Sequence, residues 1–312
     1  LSITSDFAKA GYVPPRHMRA IKDTGNNLLI ALDPNDSVGV IDSYFPNADF
    51  FVEFERFDRG FDKLRRSGKR IDYVSICSPN YLHDAHIRFA LRNGANAICE
   101  KPVVLNPWNL EALIEIESEF NSTANCILQL RLHPQIQALK AQIAAAPKDH
   151  VDLSYITSRG HWYFTSWKGQ DEKSGGIAAN IGVHFFDMLA WVFGDVTKND
   201  VHIHSGDVAA GYLEFERARV RWFLSINSKY LPDAAKAAGR TTHRSLTIEG
   251  KEIEFSEGFV DLHTRSYEEV FTGNGFTLKD ARASIGIVSD IRKTAPKGLT
   301  GEYHPFCSLV TD

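Results

Sequence analysis

A chain of 312 residues with 43% apolar content can bury a core of domain size, and its length predicts two domains. Its formal net charge of −4 and pI near 6.3 give no whole-chain attraction to nucleic acid or to an anionic membrane. No run of eighteen apolar residues occurs and "LSITSDFAKAG" lacks signal-peptide regions, so the expectation is a cytoplasmic protein without nucleic-acid or membrane partners.

At the start of the chain, Ser5 and Asp6 stand where a buried first strand should be apolar, which predicts a damaged or missing strand over residues 1–9. The turn that follows, Ala8 to Val13, keeps only Gly11 of the glycines that let a pyrophosphate approach backbone N–H groups. Ala10, Gly11 and Tyr12 are its candidate cofactor-binding residues. From Leu28 to Arg131, short apolar runs alternate with amphipathic stretches, the pattern of βαβ units and a doubly wound parallel sheet. The expected strands are "LLIALD", "DFFVEF", "IDYVSICSP", "ANAICE" and "NCILQLR", with helices over 80–93 and 107–120. Gly94 closes the first of these helices. Such a sheet binds its ligand outside the carboxyl ends of the strands. Asp33 ends the second strand, 22 residues after Gly11, where an acid accepts from the adenosine ribose and repels a ribose phosphate, so NAD is favoured over NADP. Ser78, Asn80 and His83 follow the next strand end; Ser78 and Asn80 serve equally well as helix caps.

The run "NAICEKP" ends a strand on Glu100, Lys101 and Pro102. A lysine at that tip lies on the nicotinamide side, as an ammonium bonding a reacting oxygen or as a proton carrier, and Pro102 fixes the backbone behind it. The alternative is a surface salt bridge between Glu100 and a neighbour. The four cysteines, Cys77, Cys99, Cys126 and Cys307, have no CxxC spacing, which predicts buried reduced thiols and no metal centre.

After about residue 146 the pattern changes to period-two alternation in "VDLSYITSR", "AAGYLEFERARVRWFLSIN" and "HRSLTIEGKEIEFSE", which predicts a second, mostly antiparallel α+β domain. The expected division is 1–125, a Rossmann domain; 126–294, a substrate and oligomerisation domain; and 295–312, an irregular tail. Within "TSRGHWYFTSWKG", Arg159 suits a carboxylate and Lys168 a phosphate, among Tyr163, Ser166 and Trp167. In "SGGIAANIGVHFFDMLAWVFG", Asn180 and His184 share a face if helical, with Asp187 three residues on. Histidine suits accepting a hydroxyl proton as hydride leaves the same carbon. Arg16 and His17, and also His263, Thr264 and Tyr267 in "DLHTRSY", are further ligand-side candidates, the latter set equally explained by a capping turn.

The "EKP" tip, followed about eighty residues later by G-G-x-x-x-N-x-G-x-H-x-x-D, resembles the Gfo/Idh/MocA oxidoreductase family. Stretches such as "DYVSICSPNYLH", "YITSRGHWYFTSWKG" and "FSEGFVDLHTRSYEE" are similar to its UDP-N-acetylglucosaminuronate 3-dehydrogenase branch. The resemblance implies a Rossmann domain joined to an open sheet domain, bound NAD, and oxidation of the sugar C3 hydroxyl in O-antigen and lipopolysaccharide sugar synthesis. It implies catalytic roles for Lys101 and His184 and a substrate-orienting role for Asn180, where the wide family has Asp. In some relatives NADH is reoxidised by 2-oxoglutarate, and members are commonly homotetramers. Another sugar or cyclitol dehydrogenase and a catalytically silent sugar-nucleotide-binding protein are the alternatives.

Overall fold

The computed structural model describes residues 2–5, 13–35, 38–143, 148–253 and 261–310. The chain forms two compact units, Leu1–Gln129 with Asp261–Arg282, and Leu130–Val260 with Ala283–Asp312. This differs from the division expected from sequence, because residues 261–282 return to the first unit. There the helix Leu262–Phe271 packs on the helix Val13–Asp23, with Leu262 and Tyr267 buried.

In the first unit six parallel strands lie in the order β3-β2-β1-β4-β5-β6, where β1 is Ser2–Ser5, β2 Ile30–Leu32, β3 Asp49–Phe51, β4 Tyr73–Cys77, β5 Asn96–Cys99 and β6 Ala124–Cys126. The expectation of a missing first strand is corrected. β1 is central, and Ser2 pairs with Ile30 on one side and Val74 on the other. A ladder on both edges satisfies the backbone whatever the side chains are, so polar residues do not abolish the strand. β2 and β4 are almost wholly buried, as a sheet covered on both faces requires. Helix ends follow local chemistry. Pro107 sits in the first turn of Pro107–Phe120, and Asn121 closes it in the left-handed region at φ 49°. After His83–Arg92, Gly94 (φ 73°) donates to Leu91 and Ala95 to Ala90, the paired bonds of a glycine C-cap.

The second unit is built on a mixed, mostly antiparallel sheet of order β12-β11-β7-β10-β9-β8. Its strands are β7 Asp149–Thr157, β8 Val196–His204, β9 Val208–Phe215, β10 Ala218–Ser225, β11 Thr242–Ile248 and β12 Lys251–Ile253. Only the β7–β10 pairing is parallel. Glu249 (φ 47°) and Gly250 (φ 78°) make the two-residue turn between β11 and β12 that the sequence signals. Strand β8 has no clear sequence signature, since Lys198, Asn199 and Asp200 break its alternation and two register shifts interrupt its pairing with β9. The helix Val183–Phe193 is buried on nearly all sides. The run Asp171–Phe193 is long and apolar enough to cross a membrane by composition, but 78% of its most apolar window is buried inside the protein, which marks a core helix.

Residues 295–304 of the tail carry no helix or strand, in keeping with the irregular tail expected, but a short turn follows them. Residues Pro305–Leu309 form a 3₁₀ turn capped by His304, whose Nδ1 accepts from the Phe306 N–H at 3.1 Å while Nε2 donates to Ser154 Oγ at 3.0 Å. Burial pushes the His304 pKa down to about 4 and that of Cys307 up to about 11. The four cysteines are free and buried.

Candidate active site

At the nucleotide end of the first unit, Asp33 sits just past β2, fully buried, and its Oδ1 accepts from the backbone N–H and side-chain amide of Asn35 at 2.9 and 3.0 Å. Ser78 and Asn80 follow β4. The Ser78 hydroxyl is bonded to His86 Nδ1 at 2.9 Å, and the N-cap positions there are Pro79 and Leu82. Burial holds the His86 pKa near 4, so its neutral ring can serve this bond. His83, expected on the cofactor side, is instead a strut. Its ring is fully buried, with Nδ1 2.7 Å from the Pro102 carbonyl and Nε2 2.8 Å from that of Ser78, so it braces the ends of β4 and β5 together. Ala10, Gly11 and Tyr12 lie outside the described residues. An acid past β2, small polar groups past β4 and a strand order that reverses beside β1 fit a dinucleotide laid across this edge.

At the end of β5 the carboxylate and the ammonium separate in environment. Glu100 is 7% exposed and no surface ion pair; from Ala97 to Leu105 only Lys101 keeps substantial exposure. The helices Val13–Asp23 and Leu262–Phe271 each send a histidine to Glu100. His17 Nε2 donates to Oε1 at 3.0 Å and His263 Nε2 to the same oxygen at 2.9 Å, while Oε2 accepts the Lys101 backbone N–H at 3.2 Å. Burial raises the Glu100 pKa, but these two histidine bonds outweigh it and hold the carboxyl well below its usual range. Burial lowers the His17 pKa, so the ring is neutral, and its Nδ1 faces the mutually bonded hydroxyls of Tyr267 (2.8 Å) and Ser75 (3.1 Å), one of which donates to it. His17, Glu100 and His263 offer metal-type atoms within 4.8 Å of one another, yet direct bonds at 2.9 and 3.0 Å close the cluster on itself. Glu100 thus ties His17 and His263 to the Lys101 backbone. His263 and Tyr267, four apart and both buried on one helix face, carried a sequence signal for this cluster.

In the second unit, from Ser174 to Leu189 every residue is buried except Asn180 and His184. Ala178–Gly182 is a turn of π-helix leading into Val183–Phe193, so the two polar side chains leave an otherwise sealed segment across an irregular turn. The glycine between them is a packing requirement. A Cβ on Gly182 would stand 2.5 Å from Leu224 Cδ1 and 2.8 Å from the Phe186 ring. Asn180 Nδ2 donates to Tyr163 Oη at 2.9 Å, and burial raises the Tyr163 pKa so that the phenol stays neutral. One turn beyond His184, buried Asp187 receives Arg131 in a two-bond fork, Nε to Oδ2 at 3.0 Å and a terminal nitrogen to Oδ1 at 2.8 Å. Sequence reasoning gave Arg131 no role.

Of the remaining expected substrate residues, Arg159 is exposed, and Lys168 lies 5.3 and 5.5 Å over the Trp162 and Trp167 rings. Ser166 is a correction. Its hydroxyl donates to the Tyr163 carbonyl (2.9 Å) and accepts from the Lys168 N–H (3.3 Å), capping the next turn. Trp167 is 9% exposed and belongs mainly to packing.

Comparison with known proteins agrees with the fold. The profile of an oxidoreductase family with an NAD-binding Rossmann fold matches residues 10–126, and that of its C-terminal alpha/beta domain residues 149–272. The WlbA (WbpB) dehydrogenase of Thermus thermophilus, solved with NAD and alpha-ketoglutarate, is 46% identical with a TM-score of 0.93 over 98% of each chain. The same dehydrogenase solved with NAD and UDP-GlcNAcA gives 45% and 0.93, again over 98% of each chain. Among curated relatives, the D-glucoside 3-dehydrogenase of Escherichia coli (strain K12) is 24% identical over 43% of this chain and 39% of its own length. The inositol 2-dehydrogenase of Rhizobium meliloti (strain 1021) is 29% identical over 40% and 37%. The chain spans well under half the length of these curated relatives.

Proposed function

This chain belongs to the Gfo/Idh/MocA oxidoreductase family, and on that premise we propose that it oxidises the C3 hydroxyl of UDP-N-acetylglucosaminuronate to the 3-keto sugar with NAD. Bound NAD supplies the acceptor for the C3 hydride. Asp33 holds the adenosine ribose, Ser78 and Asn80 lie beside the cofactor, and Ala10, Gly11 and Tyr12 are read as further cofactor-binding residues. His184 takes the hydroxyl proton, and Lys101 donates to the oxygen as it becomes a carbonyl, so one hydride and one proton leave the sugar and the C–O bond becomes double. Asn180 orients the sugar, itself set by Tyr163. Arg159 takes the uronate carboxylate and Lys168 the diphosphate. The observation that carries this reading is selective exposure: Lys101 in the first unit, and Asn180 and His184 in the second, are the polar groups left accessible within otherwise buried segments.

Four buried free thiols suit the cytoplasm, and the reading includes a homotetramer and a place in O-antigen sugar synthesis. The test is NADH formation from UDP-N-acetylglucosaminuronate, lost at least a thousandfold in Lys101→Ala and His184→Ala, with and without 2-oxoglutarate as reoxidant. Activity on an unmodified sugar alone would replace the substrate. Calorimetry showing UDP-sugar binding but no NAD binding would replace catalysis altogether.

A further inference from the structure

A buried carboxylate at a strand tip is costly unless donors reach both its oxygens. Glu100 receives three donors from three elements: His17 from the first helix, His263 from a helix that returns some 160 residues later, and the backbone N–H of Lys101. The ring orientations are themselves set. Because the Glu100 carboxylate can only accept, the His17 N–H lies on Nε2, pointing at it, and Nδ1 is left to accept from a hydroxyl. No surface function explains such a cluster, since Glu100, His17, His263, Ser75 and Tyr267 are all buried. The residue that emerges beside it is Lys101.

We infer that Glu100 is a positioning residue for Lys101: the His17–Glu100–His263 bridge anchors the Lys101 backbone to two helices and keeps a negative charge on the residue next to it in the chain. The inference rests on the proposed role of Lys101 and deepens it. The groups that face Glu100 are His17, His263, His83, Cys77, Cys99 and Tyr267, besides Lys101 itself. Of these only His17 and His263 bond its carboxylate through side chains, so replacing the carboxylate with an amide tests the bridge. In Glu100→Gln the single amide oxygen stays with the two imidazole N–H groups, and the amide NH2 then turns toward the Lys101 N–H, donor against donor.

Two readouts separate positioning from mere structural support. The first is hydrogen exchange of the peptide spanning 99–106, which needs no substrate: exchange at the Lys101 amide accelerates at least tenfold in Glu100→Gln. The second is kinetic. With UDP-N-acetylglucosaminuronate and NAD, kcat falls roughly 10- to 100-fold while both KM values stay within about threefold, the pattern of an interaction felt in the transition state. The alkaline limb of the kcat/KM profile also moves to lower pH, because an ammonium with less negative charge nearby loses its proton more readily. If Glu100→Gln does not fold, His263→Asn, which leaves the His17 bond in place, is read the same way, with smaller changes in the same direction. A folded variant with unchanged Lys101 exchange, unchanged kcat and an unmoved pH limb overturns the inference. A wild-type protein that never turns over the nucleotide sugar overturns the proposed function instead, while hydrogen exchange still decides whether Glu100 holds Lys101.

Discussion

Replacing Asp187 by Asn should destabilise the second unit by about 3 kcal/mol, the low end for removing one partner of a buried ion pair. Asp187 and Arg131 have side chains 2% and 7% exposed and share two bonds at 3.0 and 2.8 Å, so neither charge is solvated. Asparagine keeps the shape and one acceptor but turns its NH2 toward the guanidinium, leaving a buried positive charge without its counter-ion. At about 2–4 °C per kcal/mol for units of this size, the transition should fall by roughly 6–12 °C. The assay is thermal and urea unfolding of wild type, Asp187→Asn, Arg131→Met and the double variant Arg131→Met/Asp187→Leu, read as a double-mutant cycle. The double variant should cost less than the sum of the singles, because removing both charges removes both desolvation terms. A single-variant cost below about 1 kcal/mol, or a coupling energy near zero, would refute the view that this fork is buried and mutually compensated.

Acid should weaken the fold through His86 and His304. Both have folded pKa values near 4 against an ordinary 6.5, so between pH 6.5 and 4 the unfolded chain binds more protons and stability falls as pH falls, by up to about 3 kcal/mol for each group. A His304→Gln variant should show a flatter dependence of Tm on pH over that window, and an identical slope would remove His304 from the account. Glu100 adds to the same sensitivity at lower pH, since its depressed carboxyl stabilises the fold above the usual glutamate range and stops doing so as pH drops through its folded pKa. Gly211→Ala should cost about 1–3 kcal/mol by overpacking, because a Cβ there would meet the Asp200 carbonyl and stand 2.6 Å from the Trp222 ring; an unchanged unfolding midpoint would show that β8 and β9 yield easily. Tyr163→Phe removes the acceptor of Asn180, and under the proposed function it should lower kcat/KM for the nucleotide sugar about five- to tenfold with the KM for NAD unchanged, as steady-state kinetics would reveal.

The sequence alone carried whatever depends on local pattern. Apolar runs of β character separated by helical spacing dictated the parallel sheet, since a strand buried on both faces is mostly apolar, and period-two alternation dictated the second sheet with the Glu249-Gly250 turn inside it. Lys101, Asn180 and His184 were legible because polar groups interrupt otherwise apolar segments. What the sequence misjudged is whatever depends on partners distant along the chain. β1 exists because β2 and β4 bond it from both sides, despite Ser2, Thr4 and Ser5. The short turn Pro305–Leu309 in the tail is placed by His304, which finds Ser154, 150 residues away. Glu100 was readable as a carboxylate at a strand tip, but its meaning was set by His17 and by His263, 163 residues further on. Burial and pairing belong to contacts between elements, and only the tertiary structure decides which donors reach a buried acceptor.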